Sequence, residues 1–117
     1  MKRKMTIIMK TSENAAETFE KFLLTKRSNG VKTKTTETYS QHFHAISKHL
    51  DTNRAVEEMT AEDLKQMIAS MIDSGLSPNS IKSYTITLKA FLSWCNSEGI
   101  TSLKIQSEIL EKHVCYD

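Results

Sequence analysis

The feature that most limits what this chain can fold into is its shortage of turn residues. Its 117 residues include three glycines and one proline. A domain of short strands needs a turn at roughly every 8–12 residues, built largely from such residues. Here they stand only as punctuation, at Asn29-Gly30, Gly75, Ser77-Pro78 and Gly99. The segments between them are rich in Ala, Glu, Lys, Leu, Met and Ser, which gives helix as the prior. The expected fold class is all-α. At 38% hydrophobic and 26% charged residues, the composition is that of a globular rather than a disordered chain, and one domain can bury a core without staples.

Periodicity places four helices. The first is predicted over residues 15–28, capped by Ser12 or Asn14. Ala15, Phe19, Phe22 and Leu23 share a face, with Lys26 next on it, and Asn29-Gly30 ends the helix. The second starts after Thr33. Tyr39, Phe43, Ile46 and Leu50 form one narrow apolar stripe until Asp51-Thr52-Asn53 breaks the pattern. Its opposite side holds Lys34, Glu37, Gln41, His44 and Lys48. The third opens on Thr60-Ala61-Glu62-Asp63, a capping box with Asp in the acidic position. Leu64, Met67, Ile68, Met71 and Ile72 make its buried face, and Gly75 stops it. The fourth opens with a capping Ser77 and Pro78 at the first helical position. Ile81, Tyr84, Leu88, Phe91, Leu92 and Cys95 face inward, and the helix runs to about Ser97, a length of about 30 Å. Residues 1–13 read as a basic arm. Residues 100–117 read as a linker or as a weak fifth helix carrying Ile105, Ile109, Leu110 and Val114.

The net charge of +2 is unevenly spread. Residues 1–50 hold ten Lys/Arg and four Asp/Glu, whereas residues 51–76 hold two basic and six acidic residues. One reading is a domain with two unlike surfaces, of which the basic one can face an anion such as nucleic acid; the other is ordinary solvation of charged residues. Other classes fit poorly. No run of eighteen apolar residues exists for a transmembrane helix, and the basic N-terminus lacks a signal-peptide core. Cys95 and Cys115 make no disulfide framework, so a reducing, cytosolic setting is the simplest expectation. The histidines and cysteines match no zinc-module spacing, and no metal or other cofactor is expected. No strand-turn-helix elbow supports a hydrolytic triad.

The ordered set of signals is more specific than four generic helices. Phe19-Glu20-Lys21-Phe22-Leu23 is followed by Gly30 and by Thr35-Thr36-Glu37-Thr38-Tyr39 with Phe43 and Leu50. Then come Met59-Thr60-Ala61-Glu62-Asp63-Leu64 and Gly75-Leu76-Ser77-Pro78-Asn79-Ser80-Ile81. Leu88-Lys89-Ala90-Phe91-Leu92-Ser93-Trp94 closes the series. Over residues 14–99 the pattern resembles the N-terminal core-binding domain of the tyrosine recombinase (phage integrase) family, a small SAM-like bundle of helices. The resemblance implies that this domain and a larger C-terminal catalytic domain clamp duplex DNA from opposite sides, within a prokaryotic cell or a phage-infected host. The family's catalytic set is an Arg, a Lys, a His-x-x-Arg motif and a nucleophilic Tyr. Here the arginines are Arg3, Arg27 and Arg54, no His-x-x-Arg occurs, and Tyr116 sits at the end of the chain. The expectation is a non-catalytic piece that stops in the interdomain linker and relies on a separate catalytic domain. Other recombinase protomers would share its DNA.

Two helix beginnings are the candidate DNA contacts on physical grounds. Lys32, Thr33, Lys34 and Thr35 cluster at the start of the second helix, and Asn79, Ser80, Lys82 and Ser83 at the start of the fourth. Free backbone N–H groups and the helix dipole favour phosphate at such ends. Thr87 follows one turn on, beside Lys89. Thr38, Gln41 and His42 would reach base edges if the second helix entered a groove. The two beginnings are expected to lie side by side. Capping alone also explains Thr33 and Ser77, and solvated lysines are ordinary on helices. Ile86 and Ala90 fall opposite the buried stripe, with Trp94 at its edge, and the three form a candidate interaction patch, unless residues 105–114 fold over it. The rival reading is a helical protein-interaction module that engages a partner through Ile86 and Trp94 and has no affinity for nucleic acid.

Overall fold

The computed structural model describes residues 13–103. It contains four α-helices: α1 (Ala15–Ser28), α2 (Thr33–Ile46), α3 (Ala61–Asp73) and α4 (Pro78–Ser97). A single 3₁₀ turn, Val56–Glu58, interrupts the loop before α3. No strand occurs among the described residues. Residues 1–12 and 104–117, which carry most of the expected arm and all of the expected fifth helix, lie outside the described residues.

Local chemistry sets each boundary. Asn14 caps α1: its side chain accepts from the Glu17 amide at 2.9 Å, while Glu17 Oε1 accepts from the Asn14 amide at 3.0 Å. Thr60 and Asp63 build the same reciprocal pair at the start of α3. Ser77 Oγ accepts from the Ser80 amide at 3.2 Å at the start of α4, with Pro78 as its first residue. Three helices end alike. After α1, Gly30 takes φ +86°, its amide donates to the Arg27 carbonyl, and the Val31 amide donates back to Lys26. Gly75 and Gly99 repeat that reversal after α3 and α4. A side chain at such a φ is strained, which is why the three glycines stand there.

An aromatic cluster joins α1, α2 and α4. Phe19 stacks on Phe43 with ring centroids 4.0 Å apart and meets Phe91 edge-on at 5.1 Å. Phe22 touches Phe91, Tyr39 and Trp94. Lys26, the next residue on that face, lies over the Phe22 ring at 5.6 Å. From α3, Leu64, Met67, Ile68 and Met71 are fully buried in the same core. α4 packs against all three other helices, most broadly against α2.

The structure departs from the sequence expectations in particular places. α2 ends at Ile46, although a hydrogen bond from the Leu50 amide to the Ile46 carbonyl keeps Leu50 in the core. Val56 and Met59 are buried from a segment that carries no helical period. This loop also covers the start of α1, where the Ala15 and Ala16 amides donate to the carbonyls of Arg54 and Thr52. Ile72 is 38% exposed because α3 packs along Leu64, Met67, Ile68 and Met71 and leaves the end of that face open. The expected Ile86-Ala90-Trp94 patch is broken up. Ile86 is 53% exposed, but Ala90 and Trp94 pack against the core, Trp94 on Phe22 and Phe91. A helix with three neighbours buries more than one stripe, which draws in Ala90 from the opposite face and Trp94 from the edge.

Truncating Phe22→Ala removes a ring shared by α1, α2 and α4. It should cost about 3–5 kcal/mol of unfolding free energy, read by urea denaturation. A second outcome concerns Asp63. The Thr60 amide, and then Arg54 at 3.3 Å, hold its carboxyl below the usual carboxylate range. A depressed folded value means stability that is full above the unfolded pKa of 3.8 and lost as pH falls through the lower folded value. The stability advantage of the native chain over Asp63→Asn should therefore be constant near neutrality and shrink below about pH 4 in denaturation series.

Candidate nucleic-acid interface

The four helix starts divide into two kinds. Those of α1 and α3 carry acids and capping boxes, Glu17 in one and Glu62 with Asp63 in the other. Those of α2 and α4 carry no acidic residue in the first turn. The positive end of the dipole is offset at the first pair and left open at the second. At α2 the cap position is occupied by Lys32, whose side chain makes no capping bond, and Thr33 is the first helical residue. The expectation that Thr33 caps this helix is corrected. Thr33 already has helical dihedrals, so its hydroxyl is not placed to accept from the next turn's amides. Among the described residues the Thr33 and Lys34 amides have no protein acceptor.

Lys34, Thr38, Gln41 and His42 follow one another at i, i+4, i+7 and i+8 along α2. That stripe covers about 12 Å of helix. Lys32, Lys34 and Gln41 are exposed, with Thr35 and Thr38 half-buried; the Thr38 hydroxyl donates to the Lys34 carbonyl. On α4, Asn79, Lys82, Ser83 and Lys89 are exposed on one face with Ile86 among them. Ser80 is half-buried, and its hydroxyl oxygen accepts from Ser77 at 3.1 Å.

The two beginnings do not meet each other. The start of α4 meets the second half of α2, where Gln41, His42, Asn79, Ser80, Ser83 and Tyr84 line a cleft of about 350 Å³. The first turn of α2 instead borders a groove of about 520 Å³ against α1, lined by Leu23, Leu24, Arg27, Thr33 and Thr36 among others. The reason lies in the core. Tyr39, in the first half of α2, meets Phe22 of α1, whereas Phe43, in its second half, stacks on Phe19 of α1 and also reaches Phe91 of α4. The stripe from Lys34 to His42 connects the two groups of residues.

Thr87 is the clearest misplacement. It is 2% exposed, and its hydroxyl lies 2.7 Å from His42 Nδ1. It stands behind the surface, supporting a residue that is on it. Tyr84 was assigned to the core alone, yet it lines the cleft and meets the His42 ring edge-on at 5.2 Å. Only its place at the edge of the inward stripe, between Ile81 and Leu88, hints at this in the sequence. His42 binds its proton less readily than an ordinary histidine because burial disfavours the charged ring. Cys95 is fully buried, and desolvation, with lesser contributions from Glu57 and Glu98, pushes its thiol up to about 12. It is a core residue with no nucleophilic character.

No group of side chains suited to a metal ion occurs among the described residues. No helix there is long and apolar enough to cross a membrane. The fold defines an all-α, SAM-like domain. The chain belongs to the family described as phage integrase, N-terminal SAM-like domain, whose model matches residues 16–99. That match begins within the first turn of α1 and ends at the glycine after α4. It ties the chain to tyrosine recombinases. No curated protein and no solved structure matched the chain.

Proposed function

We propose that this domain binds duplex DNA as the core-binding part of a tyrosine recombinase, through phosphate contacts from the exposed faces of α2 and α4, in site-specific recombination or DNA integration. The observation that carries the reading is the division of the helix starts. The two helices that carry Lys32, Lys34, Lys82 and Lys89 are the two whose first turns hold no acid. An anion at the α2 start meets Lys32, Lys34, hydroxyls and the free Thr33 and Lys34 amides together. At the α4 start, where Ser77 already takes the Ser80 amide, it meets the side chains of Asn79, Lys82 and Ser83. The acidic residues of α3 and the loop before it belong to another part of the chain. The contacting set is Lys32, Thr33, Lys34, Thr35, Thr38, Gln41 and His42 from α2, with Asn79, Ser80, Lys82, Ser83 and Lys89 from α4. Thr87 serves as a support. Strand cleavage and joining are assigned to a separate catalytic domain. That domain, and further protomers on the same DNA, are the protein partners.

The rival reading, a protein-interaction module, has the exposure of Ile86 in its favour. Ile86 is a single residue set among Lys82, Ser83 and Lys89, which makes it a small apolar point within a polar face rather than a docking patch.

Fluorescence anisotropy with a labelled duplex tests the reading. The native chain should bind more weakly as salt rises, with a linear dependence of log K on log salt. Lys34→Ala and Lys82→Ala should each weaken binding to all sequences alike and lower the slope by about one. Glu62→Gln on α3 should leave both unchanged. Absence of binding at low salt, or equal effects from all three variants, would overturn the proposal in favour of the interaction module.

A further inference from the structure

The cleft between α2 and α4 holds one ring whose hydrogen bonding is unusually specified. The hydroxyls of Thr38 and Thr85 donate back to carbonyls one turn earlier. Thr87 does not; its sole hydrogen-bond partner among the described residues is His42 Nδ1. A buried hydroxyl proton without an acceptor is costly. Thr87 therefore donates, Nδ1 accepts, and the proton of the neutral ring sits on Nε2. Tyr84 holds the ring edge-on from the α4 side. Nε2 has no partner among the described residues and is not sealed from solvent. The rest of the cleft lining is amides, hydroxyls and the Tyr84 phenol, with no carboxylate.

We infer that His42, oriented by Thr87, donates its Nε2–H to a backbone phosphate of duplex DNA seated in this cleft, and that DNA binding draws a proton from solvent onto the ring. The inference rests on the DNA-binding reading above. In the free chain two effects oppose protonation. Burial disfavours the charged ring. A proton on Nδ1 would also make it a donor and strand the Thr87 hydroxyl. The other titratable and charged groups on the two helices are Lys34, Glu37, Tyr39 and His44 on α2, with Lys82, Tyr84, Lys89 and the buried Cys95 on α4. Tyr84 is in ring contact with His42, and no charge on any helix contributes to the lowered proton affinity. A phosphate at Nε2 reverses the balance, because an opposite charge at hydrogen-bond distance favours the imidazolium by about 1–3 pH units. The bound ring then has the higher pKa. Binding tightens as pH falls through the bound value and levels off below the free value.

The test follows the His42 ring by proton–nitrogen NMR in the full 117-residue chain between pH 5 and 8. It is run free, with a duplex at low salt, and with inorganic phosphate at matched ionic strength. The free ring should show the Nε2–H tautomer, and its titration midpoint should rise by about one pH unit or more with duplex, equivalent to about tenfold tighter binding at the acid end. His42→Gln should lose that pH dependence. Thr87→Val, close to isosteric, should mix the tautomers and shrink the rise. Duplex binding with an unmoved midpoint, or with the same pH dependence in His42→Gln, overturns the inference and leaves the DNA-binding reading intact. No duplex binding at any pH overturns both. An equal rise with inorganic phosphate makes the cleft a simple anion site and overturns the assignment to DNA.

Discussion

The contact on which the rest of the arrangement depends is the stack of Phe19 on Phe43, closed from the third side by Phe91. Three helices meet at these rings. Aromatic pairs prefer a few offset and edge-on geometries, so the cluster fixes relative helix orientation as well as burying area. Its consequence reaches the surface within one residue. His42 precedes Phe43, and seating Phe43 against Phe91 brings His42 beside Thr87 and Tyr84. The polar cleft is thus the outer edge of the aromatic core, and its geometry is set by packing rather than by polar contacts across it.

The same economy governs the helix ends. Each start carries free amides, and at three of the four the chain meets them with its own side chains, Ser77 doing so at α4. α1 and α3 use reciprocal side-chain pairs, and α1 adds the Thr52 and Arg54 carbonyls of the 51–60 loop. α2 has a lysine at its cap position and makes no side-chain bond there. A helix start left open in this way gives up about 1 kcal/mol of capping stability. That cost is not structurally required, since three of the four starts show the chain capping its helices. The proposed phosphate contact would offset it.

Much of this was legible in the sequence. Helix boundaries were readable because they depend on local chemistry: Asn29-Gly30, Thr60 with Asp63, and Ser77-Pro78 each act within one turn. The inward faces of α1 and α3 were readable because each follows one apolar stripe. What could not be read was long-range. Val56 and Met59 enter the core because the loop folds over the start of α1, an event that periodicity does not encode. Trp94 and Ala90 pack inward because α4 has neighbours on several sides. The candidate site suffered from the same blindness. Its residue types were recognisable, but which helix beginning lies against which part of α2 depends on how Phe43 and Tyr39 face different partners.

Thr85 and Thr87 show where that blindness matters most. Two buried threonines in the middle of α4 break its apolar pattern; residue type and spacing put Thr87 among the surface contacts and assign Thr85 no role. Their roles differ by where the hydroxyl goes. Thr85 returns its proton to its own helix, at the Ile81 and Lys82 carbonyls, and is thereby closed off from other elements. Thr87 pairs instead with His42 Nδ1 on α2. A valine would fill the same volume without a buried polar group to satisfy, so packing does not require the hydroxyl. What the hydroxyl adds is a choice between the two ring nitrogens of His42, and that choice has a consequence only on the solvent side of the ring. A buried polar residue whose bond leaves its own helix is therefore best read through the exposed partner it orients.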